Sequence, residues 1–106
     1  MKEFENELLN HLNAIEQELK RINLWQNQPP KPEAFNSEQP FALDIMQAHE
    51  WLQWLFLPRI RAIMDAKGEI PRNFSLHPYF EEALKDEDDI QHLLHLIKQL
   101  DELVKI

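Results

Sequence analysis

The sequence predicts an all-α fold, a small four-helix bundle, from three observations. Apolar residues recur every three or four positions in separate stretches of the chain, which is the period of an α-helix. The strict alternation of apolar and polar residues that indicates a half-buried strand appears nowhere. The chain has 106 residues and no cysteine, so it has the length of one domain and needs a core without disulfides. We therefore expect residues 1–106 to form a single helical-bundle domain.

The first predicted helix runs from about Lys2 to Leu24. Its apolar positions form one stripe, and charged or amide side chains occupy the other faces. The stripe consists of Phe4, Leu8, Leu12, Ile15, Leu19 and Ile22. This spacing predicts packing against another helix of the bundle, and it also suits a coiled-coil seam. A homodimer through the seam of the first or the last helix is therefore left open.

A long proline-rich loop follows, because four prolines exclude a regular helix and restrict the residues before them. They are Pro29, Pro30, Pro32 and Pro40. A connection of this length without a helix or strand is unusual in a compact domain. Trp25, Phe35 and Phe41 bring large aromatic surfaces to it, so we expect an ordered loop that these rings pin onto the bundle. The alternative interpretation is a binding loop.

The second helix, from about Met46 to Lys67, contains the most apolar run of the chain. A helix that is apolar on nearly all sides is either buried or spans a membrane. Arg59 and Arg61 interrupt the run well before the roughly 20 apolar residues that a membrane span needs. We therefore interpret it as the buried central helix. We expect Asp44 to cap its start and Gly68 to end it in the left-handed conformation.

Pro58 lies inside this helix and lacks the N–H group that would bond to the Trp54 carbonyl, which predicts a kink. One interpretation is a kinked core helix, in which Gln53 is a satisfied buried amide. In that case Arg59 is buried and needs an acidic partner; the candidates are Asp44, Glu81 and Glu82. The other interpretation is a polar niche in an apolar wall, which binds a small molecule or a peptide. Such a site would be formed by Trp51, Gln53, Trp54, Pro58 and Arg59.

Two further helices complete the predicted bundle. Pro78 suits the first turn of a short third helix, from about Pro78 to Lys85. The fourth helix runs from about Asp88 to Lys105. Its stripe includes Ile90, Leu93, Ile97, Leu100 and Val104. His92 and His95 lie three residues apart, so one metal ion is within reach of both, but the adjacent stripe predicts that they face solvent. We expect no metal and no cofactor.

Composition narrows the function classes. The net charge of −8 argues against direct binding to nucleic acid, because such proteins present a basic face to phosphate. The single glycine, Gly68, excludes glycine-rich phosphate loops. No serine–histidine or paired-carboxylate arrangement stands out, so the sequence favours a protein that is not an enzyme. The charged N-terminus lacks the apolar segment of a signal peptide, which predicts a cytoplasmic protein without a membrane segment.

Several short motifs resemble the YqcC family, a bacterial family of about this length and of unknown function. They are Trp25-Gln26, Pro29-Pro30 with Pro32, Pro40-Phe41, Asp44 with Met46, Trp51-Leu52-Gln53-Trp54, Pro58-Arg59 and Pro78-Tyr79, in this order. The resemblance covers nearly the whole chain and implies an all-helical bundle. It implies no established activity and no established catalytic residue.

Members of that family are sometimes labelled tRNA pseudouridine synthases. Such synthases resemble one another in a large mixed sheet and in a His-Arg-Leu-Asp type motif whose aspartate attacks the substrate. The present chain has no such motif, since Asp44 follows Phe41-Ala42-Leu43. The resemblance is consistent with an accessory role beside that enzyme, and the residues argue against catalysis by this chain.

The sequence thus favours a non-catalytic protein-interaction module with a protein partner that the residues do not identify. An exposed aromatic patch is expected to carry this interaction. The candidate patch consists of Trp25, Phe41, Trp51, Gln53, Trp54 and Arg59.

Overall fold

The computed structural model describes residues 2–33 and 46–106. This part of the chain contains four helices and no strand, which confirms the predicted all-α class. Helix α1 is Lys2–Arg21, and helix α2 spans residues 48–65 in three consecutive parts. Helix α3 is His77–Ala83, and helix α4 is Gln91–Val104. Within the described ranges, no helix is both long and apolar enough to cross a bilayer.

The core lies between α1 and α4, the two helices with the most extensive mutual packing. The predicted stripes of the first and last helices meet there. Their fully buried members are Leu8, Leu12, Ile15, Leu19, Leu93, Ile97, Leu100 and Val104. Helices α2 and α3 close the core with Leu52, Leu57 and Phe80, which are also fully buried. Burial of each such side chain stabilises the fold by about 1.5–3 kcal/mol. The α1 stripe therefore packs inside the bundle.

The central helix contains a π-helical turn directly before Pro58, the position at which the sequence predicts a kink. Helix α2 is α-helical over Ala48–Trp51, π-helical over Leu52–Phe56 and α-helical again over Leu57–Asp65. The N–H of Leu57 donates to the carbonyl of Leu52, five residues earlier. Pro58 follows at once, where an α-turn would press its ring against the carbonyl four residues before it. The wider π-turn therefore stands where the proline interrupts the regular ladder.

Helices α1 and α2 both end in Schellman motifs with a left-handed residue that is not glycine. After α1, Asn23 has φ 65°, and the N–H of Leu24 donates to the carbonyl of Leu19 at 2.9 Å. After α2, Lys67 has φ 57°, and the N–H of Gly68 donates to the carbonyl of Ile63 at 2.9 Å. The prediction that Gly68 supplies the left-handed residue is wrong. The helix ends at Asp65, so the left-handed position falls one residue before the glycine.

The helix starts differ from the predicted caps. The N-cap of α2 is Gln47, whose N–H donates to the Glu50 carboxylate at 2.8 Å. Asp44, the expected cap, lies outside the described residues, as do Phe35, Pro40 and Phe41. Helix α3 carries Pro78 in its first turn, as predicted. Its first N–H groups are satisfied from another helix. Asp101 of α4 accepts from the N–H of Leu76 at 2.8 and 2.9 Å and from that of His77 at 2.8 Å.

Candidate functional site

An open apolar groove of about 780 Å³ runs along α2. One wall is a stripe of α2, and the other is the connector between α2 and α3. The α2 wall consists of Trp51, Leu55, Phe56, Arg59, Ile60 and Ile63. The connector contributes Pro71, Phe74 and Leu76. We call this feature the α2 groove.

Helical spacing explains why the α2 wall is continuous. Trp51, Leu55, Arg59 and Ile63 follow one another at intervals of four residues, so their side chains lie one above the other on one face. Phe56 and Ile60 occupy the adjacent row and are buried. This face differs from the one that carries Leu52 and Leu57 into the core. One apolar face of the central helix therefore packs in the core, and another lines the groove.

One ring contact joins the two walls, and two others support Trp51. Trp51 stacks on Phe56 with ring centroids 5.4 Å apart, and Phe56 meets Phe74 edge-on at 5.6 Å. Trp51 also lies 6.0 Å from the ring of Phe80, which is fully buried. Offset-stacked and edge-on pairs are the favoured aromatic geometries and add about 0.5–1.5 kcal/mol beyond area burial. The groove is therefore a formed surface, supported from the core, in which Trp51 is half-buried.

Arg59 is the only charged side chain among the described residues that line the groove. It is exposed, and it makes no ion pair or hydrogen bond with a described residue. The expectation that Arg59 is buried is therefore wrong. The α2 helix buries neighbouring positions 56, 57 and 60 and turns Pro58 and Arg59 toward solvent. Of the expected partners, Glu82 pairs with Lys85 and Glu81 lies near His77, whereas Asp44 is outside the described residues.

Gln53 and Trp54 lie outside the groove and form hydrogen bonds with Gln26, in the segment that follows α1. The N–H of Gln26 donates to Oε1 of Gln53 at 2.8 Å, and Nε2 of Gln53 donates to the Gln26 carbonyl at 2.7 Å. The Gln26 side chain accepts from Nε1 of Trp54 at 2.9 Å and donates to Glu50 at 3.1 Å. We call Gln26, Glu50, Gln53 and Trp54 the Gln26 cluster. Gln53 is only 4% exposed, and both ends of its amide are bonded.

The predicted patch is thus divided between two sites. Trp51 and Arg59 line the α2 groove, whereas Gln53 and Trp54 belong to the Gln26 cluster. Trp25 is half-buried next to that cluster in sequence, with the Lys20 ammonium 5.2 Å from its ring centroid. Phe41 lies outside the described residues. Sequence reasoning missed Leu55, Ile63 and Phe74 as lining residues. The four-residue interval that starts at Trp51 is the signal that points to the first two.

Other polar groups serve to connect the helices. Glu18, which is 4% exposed, accepts from two nitrogens of Arg21 at 2.7 and 2.5 Å. Arg21 also bonds Asp89 at 2.9 Å, which joins α1 to the turn before α4. These hydrogen bonds from Arg21 lower the pKa of both Glu18 and Asp89. The pKa of Glu16 is lowered as well, first by its hydrogen bond to Lys20 and also by Arg61 of α2.

The weak metal candidates do not form a site with other ligands. His92 and His95 are both exposed on α4. Within residues 2–33 and 46–106, no group of three or more histidine or acidic side chains is placed to hold a metal ion. A smaller cleft of about 350 Å³ lies beside the start of α3 and includes His77, Lys98 and Asp101. Asp101 is committed there to the N–H groups of α3.

The sequence and the fold have counterparts among bacterial proteins. The chain is 42% identical over 98 residues to an uncharacterized protein of Haemophilus influenzae, a match that covers 92% of each chain. It is 44% identical over 73 residues to YqcC of Escherichia coli, covering 69% of this chain and 67% of that protein. The solution NMR structure of the same YqcC matches with a TM-score of 0.82 at 36% identity, over 95% of this chain and 87% of that chain.

A third relative is much longer. The chain is 47% identical over 70 residues to a protein of Pectobacterium carotovorum named tRNA pseudouridine synthase C. The match covers 66% of this chain but only 19% of that protein. The DUF446 family model, described as tRNA pseudouridine synthase C, matches residues 7–103. Together with the similarity to YqcC that its motifs predicted, this match means that the chain belongs to the DUF446 family of YqcC-like helical proteins.

Proposed function

We propose that this chain is a non-catalytic accessory module that binds a tRNA pseudouridine synthase. The observation that carries the proposal is the Pectobacterium protein named tRNA pseudouridine synthase C, in which the matched segment is 19% of the length. Most of that protein lies outside the match. The matched region makes up 67% of YqcC and only 19% of the Pectobacterium protein. We expect such a region to contact the remainder of the longer protein, because covalent linkage raises the effective concentration of the two parts.

The chemistry of the chain supports a partner role. Four acidic side chains in the described ranges are buried or half-buried, and each has a structural task. They are Glu16, Glu18, Glu50 and Asp101, which bind basic side chains or cap helix starts. The His-Arg-Leu-Asp type motif is absent from the sequence. We therefore assign the reaction to the partner.

The net charge also bears on what this chain would contact. Nineteen acidic and eleven basic side chains give a charge of −8, which repels the tRNA backbone. A module of this charge acts on the enzyme rather than on its nucleic-acid substrate. The α2 groove provides an apolar surface that suits a protein contact.

Two measurements test this function. Isothermal titration calorimetry would mix the purified chain with the tRNA pseudouridine synthase C of the same bacterium, and we expect saturable binding. Pseudouridine formation in tRNA would then be measured with the synthase alone, with this chain alone, and with both. We expect no product from this chain alone. Product from this chain alone would assign the reaction to it, and failure to bind the synthase would refute the accessory role.

A second candidate function is small-molecule or peptide binding at the central helix. The groove volume of about 780 Å³ lies in the range of ligand sites, and Trp51 and Arg59 line it. Gln53, Trp54 and Pro58 do not line it, so the site is displaced from the kink toward the connector. A screen for quenching or enhancement of tryptophan fluorescence, compared with a Trp51→Phe variant, would test this function.

A further inference from the structure

We infer that the α2 groove is the docking site for an amphipathic helix of the synthase, with an acidic side chain of that helix paired to Arg59. The identity of the partner rests on the proposed function; the location and the chemistry of the site rest on the groove itself.

The length of the groove suits a short helix. Its α2 wall runs from Trp51 to Ile63, a separation of about 18 Å along a helix at 1.5 Å per residue. About three turns of a second helix, at 5.4 Å per turn, lie alongside such a wall. The groove is a trough open to solvent, whereas sites for small molecules enclose most of the ligand surface. An elongated, open, apolar trough is the shape that takes the apolar face of a helix.

The lining predicts the pattern on the docked helix. Buried Phe56, Ile60 and Leu76 form the floor, and half-buried Trp51, Leu55, Ile63 and Phe74 form the sides. A helix that fills this floor needs apolar residues at positions i, i+3 or i+4, and i+7. Trp51 and the neighbouring aromatic rings supply the large, stiff side chains that dominate the energy of such contacts.

Arg59 predicts where the docked helix carries its charge. Arg59 lies one helical turn from Leu55 and one turn from Ile63, in the middle of the α2 wall. It has no ion-pair partner among the described residues. A carboxylate that flanks the middle apolar residue of the docked helix would meet this guanidinium. Charge-assisted bonds between arginine and a carboxylate are directional, so this pair would set the register of the helix.

The acidic character of the chain makes the position of the groove cation more selective for the register of the docked helix. A net charge of −8 repels an acidic segment from the chain as a whole. Exposed charges act over about 8 Å at physiological ionic strength, and Arg59 is the one cation among the described residues that line the groove, so it offers a local attraction there. A partner helix with an acidic residue elsewhere along its apolar face meets apolar side chains of this described lining. The ion pair with Arg59 therefore stabilises one register of the docked helix relative to the others.

The experiment measures binding of the intact synthase C to the intact chain and to three variants. Arg59→Glu reverses the groove charge, and Ile63→Ser removes an apolar side chain from its rim. The matched control is Lys98→Glu, which reverses an exposed charge on α4 outside the groove. Circular dichroism and ¹H–¹⁵N spectra of each variant establish that it is folded. Amide signals of the native chain that shift when unlabelled synthase is added locate the contact independently of the variants.

We expect Arg59→Glu and Ile63→Ser each to weaken binding about tenfold or more. Lys98→Glu should leave the affinity nearly unchanged. The shifted amides should cluster around residues 51–63 and 71–76. Binding of the native chain with shifts elsewhere, and with unaffected variants, would overturn the groove assignment and leave the accessory function standing. Absence of any binding by the native chain would overturn both. A native chain that is a dimer in light scattering, and a monomer as Arg59→Glu, would assign the groove to a second copy instead.

Discussion

The side-chain amide of Gln53 bonds both backbone polar groups of Gln26, accepting from its N–H at 2.8 Å and donating to its carbonyl at 2.7 Å. A primary amide presents a donor and an acceptor side by side. It can therefore bond both the N–H and the carbonyl of one residue, as the backbone of a paired strand would. The bond pair lies five residues after the end of α1 and fixes the path of the chain as it leaves that helix. Gln53 is only 4% exposed, so its own amide depends on these two bonds.

Removal of this amide should destabilise the fold. In Gln53→Ala, the N–H and carbonyl of Gln26 lose their partners in a half-buried site, and each unsatisfied group costs about 1–3 kcal/mol. We expect a total loss of about 2–4 kcal/mol in the free energy of unfolding, measured by urea denaturation. Gln17→Ala, at an exposed amide of α1, is the control and should change it by less than about 0.5 kcal/mol. Equal effects of the two substitutions would contradict the role of Gln53.

The C-terminus of α2 provides a prediction in which a substitution stabilises the protein. Lys67 has φ 57°, a conformation that costs a residue with a Cβ atom about 1–2 kcal/mol. Lys67→Gly relieves this cost but adds freedom to the unfolded chain, so we expect a net gain of about 0.5–1 kcal/mol in thermal or urea unfolding.

Gly68→Ala is the reciprocal test at the same helix end. Gly68 does not have a positive φ, and an added Cβ would lie 3.4 Å from Cγ2 of Ile63, a contact that a small shift of that side chain relieves. The substitution should therefore change the free energy of unfolding by less than about 1 kcal/mol. A larger loss for Gly68→Ala together with a loss for Lys67→Gly would restore Gly68 as the required left-handed residue.

The helices could be predicted from the sequence because their signal is periodic and local. Leu12, Ile15 and Leu19 recur at intervals of three and four, and all are buried as the pattern indicates. The start of α3 was predictable from Pro78, because proline is over-represented in the first turn of a helix, where its missing N–H has no intrahelical partner to lose. The left-handed residue after α2 was predicted one position too late, at Gly68 instead of Lys67, because glycine is the usual residue in that conformation.

The candidate site was less predictable because it depends on which faces of α2 are covered. Arg59 looked buried within an apolar helix, yet it lies on the exposed edge of the groove, and only the packing of α1, α3 and α4 decides this. The bonds of Gln53 were hidden for another reason. Its partner is 27 residues away in an irregular segment, and backbone groups carry no sequence pattern. Gln53 and Trp51, two residues apart, consequently belong to different sites.

Asp101 predicts a coupling between α4 and the start of α3. Its carboxylate accepts from the N–H groups of Leu76 and His77 at the start of α3. The next residue, Pro78, has no N–H to donate. Asp101→Ala removes a cap and should cost about 1–2 kcal/mol in urea unfolding. Glu102→Ala, at the exposed neighbouring position, is the matched control and should be nearly neutral. Hydrogen exchange at His77 and Tyr79 should accelerate in Asp101→Ala alone; unchanged exchange would show that α3 does not depend on this carboxylate.

The Arg21 bridge predicts how stability depends on pH. Hydrogen bonds from Arg21 lower the pKa of Glu18 and of Asp89 in the folded chain, from ordinary values of 4.5 and 3.8. A carboxyl with a lowered folded pKa contributes its stability above its unfolded pKa and loses it as the pH falls through the folded pKa. We therefore expect the difference in unfolding free energy between the native chain and Arg21→Gln to be largest near about pH 7 and to shrink toward about pH 3. Arg59→Gln, which removes a cation without an ion pair to a described residue, should show no such narrowing. A difference for Arg21→Gln that stays constant across this range would mean that the bridge contributes through packing of the arginine stem rather than through its charge.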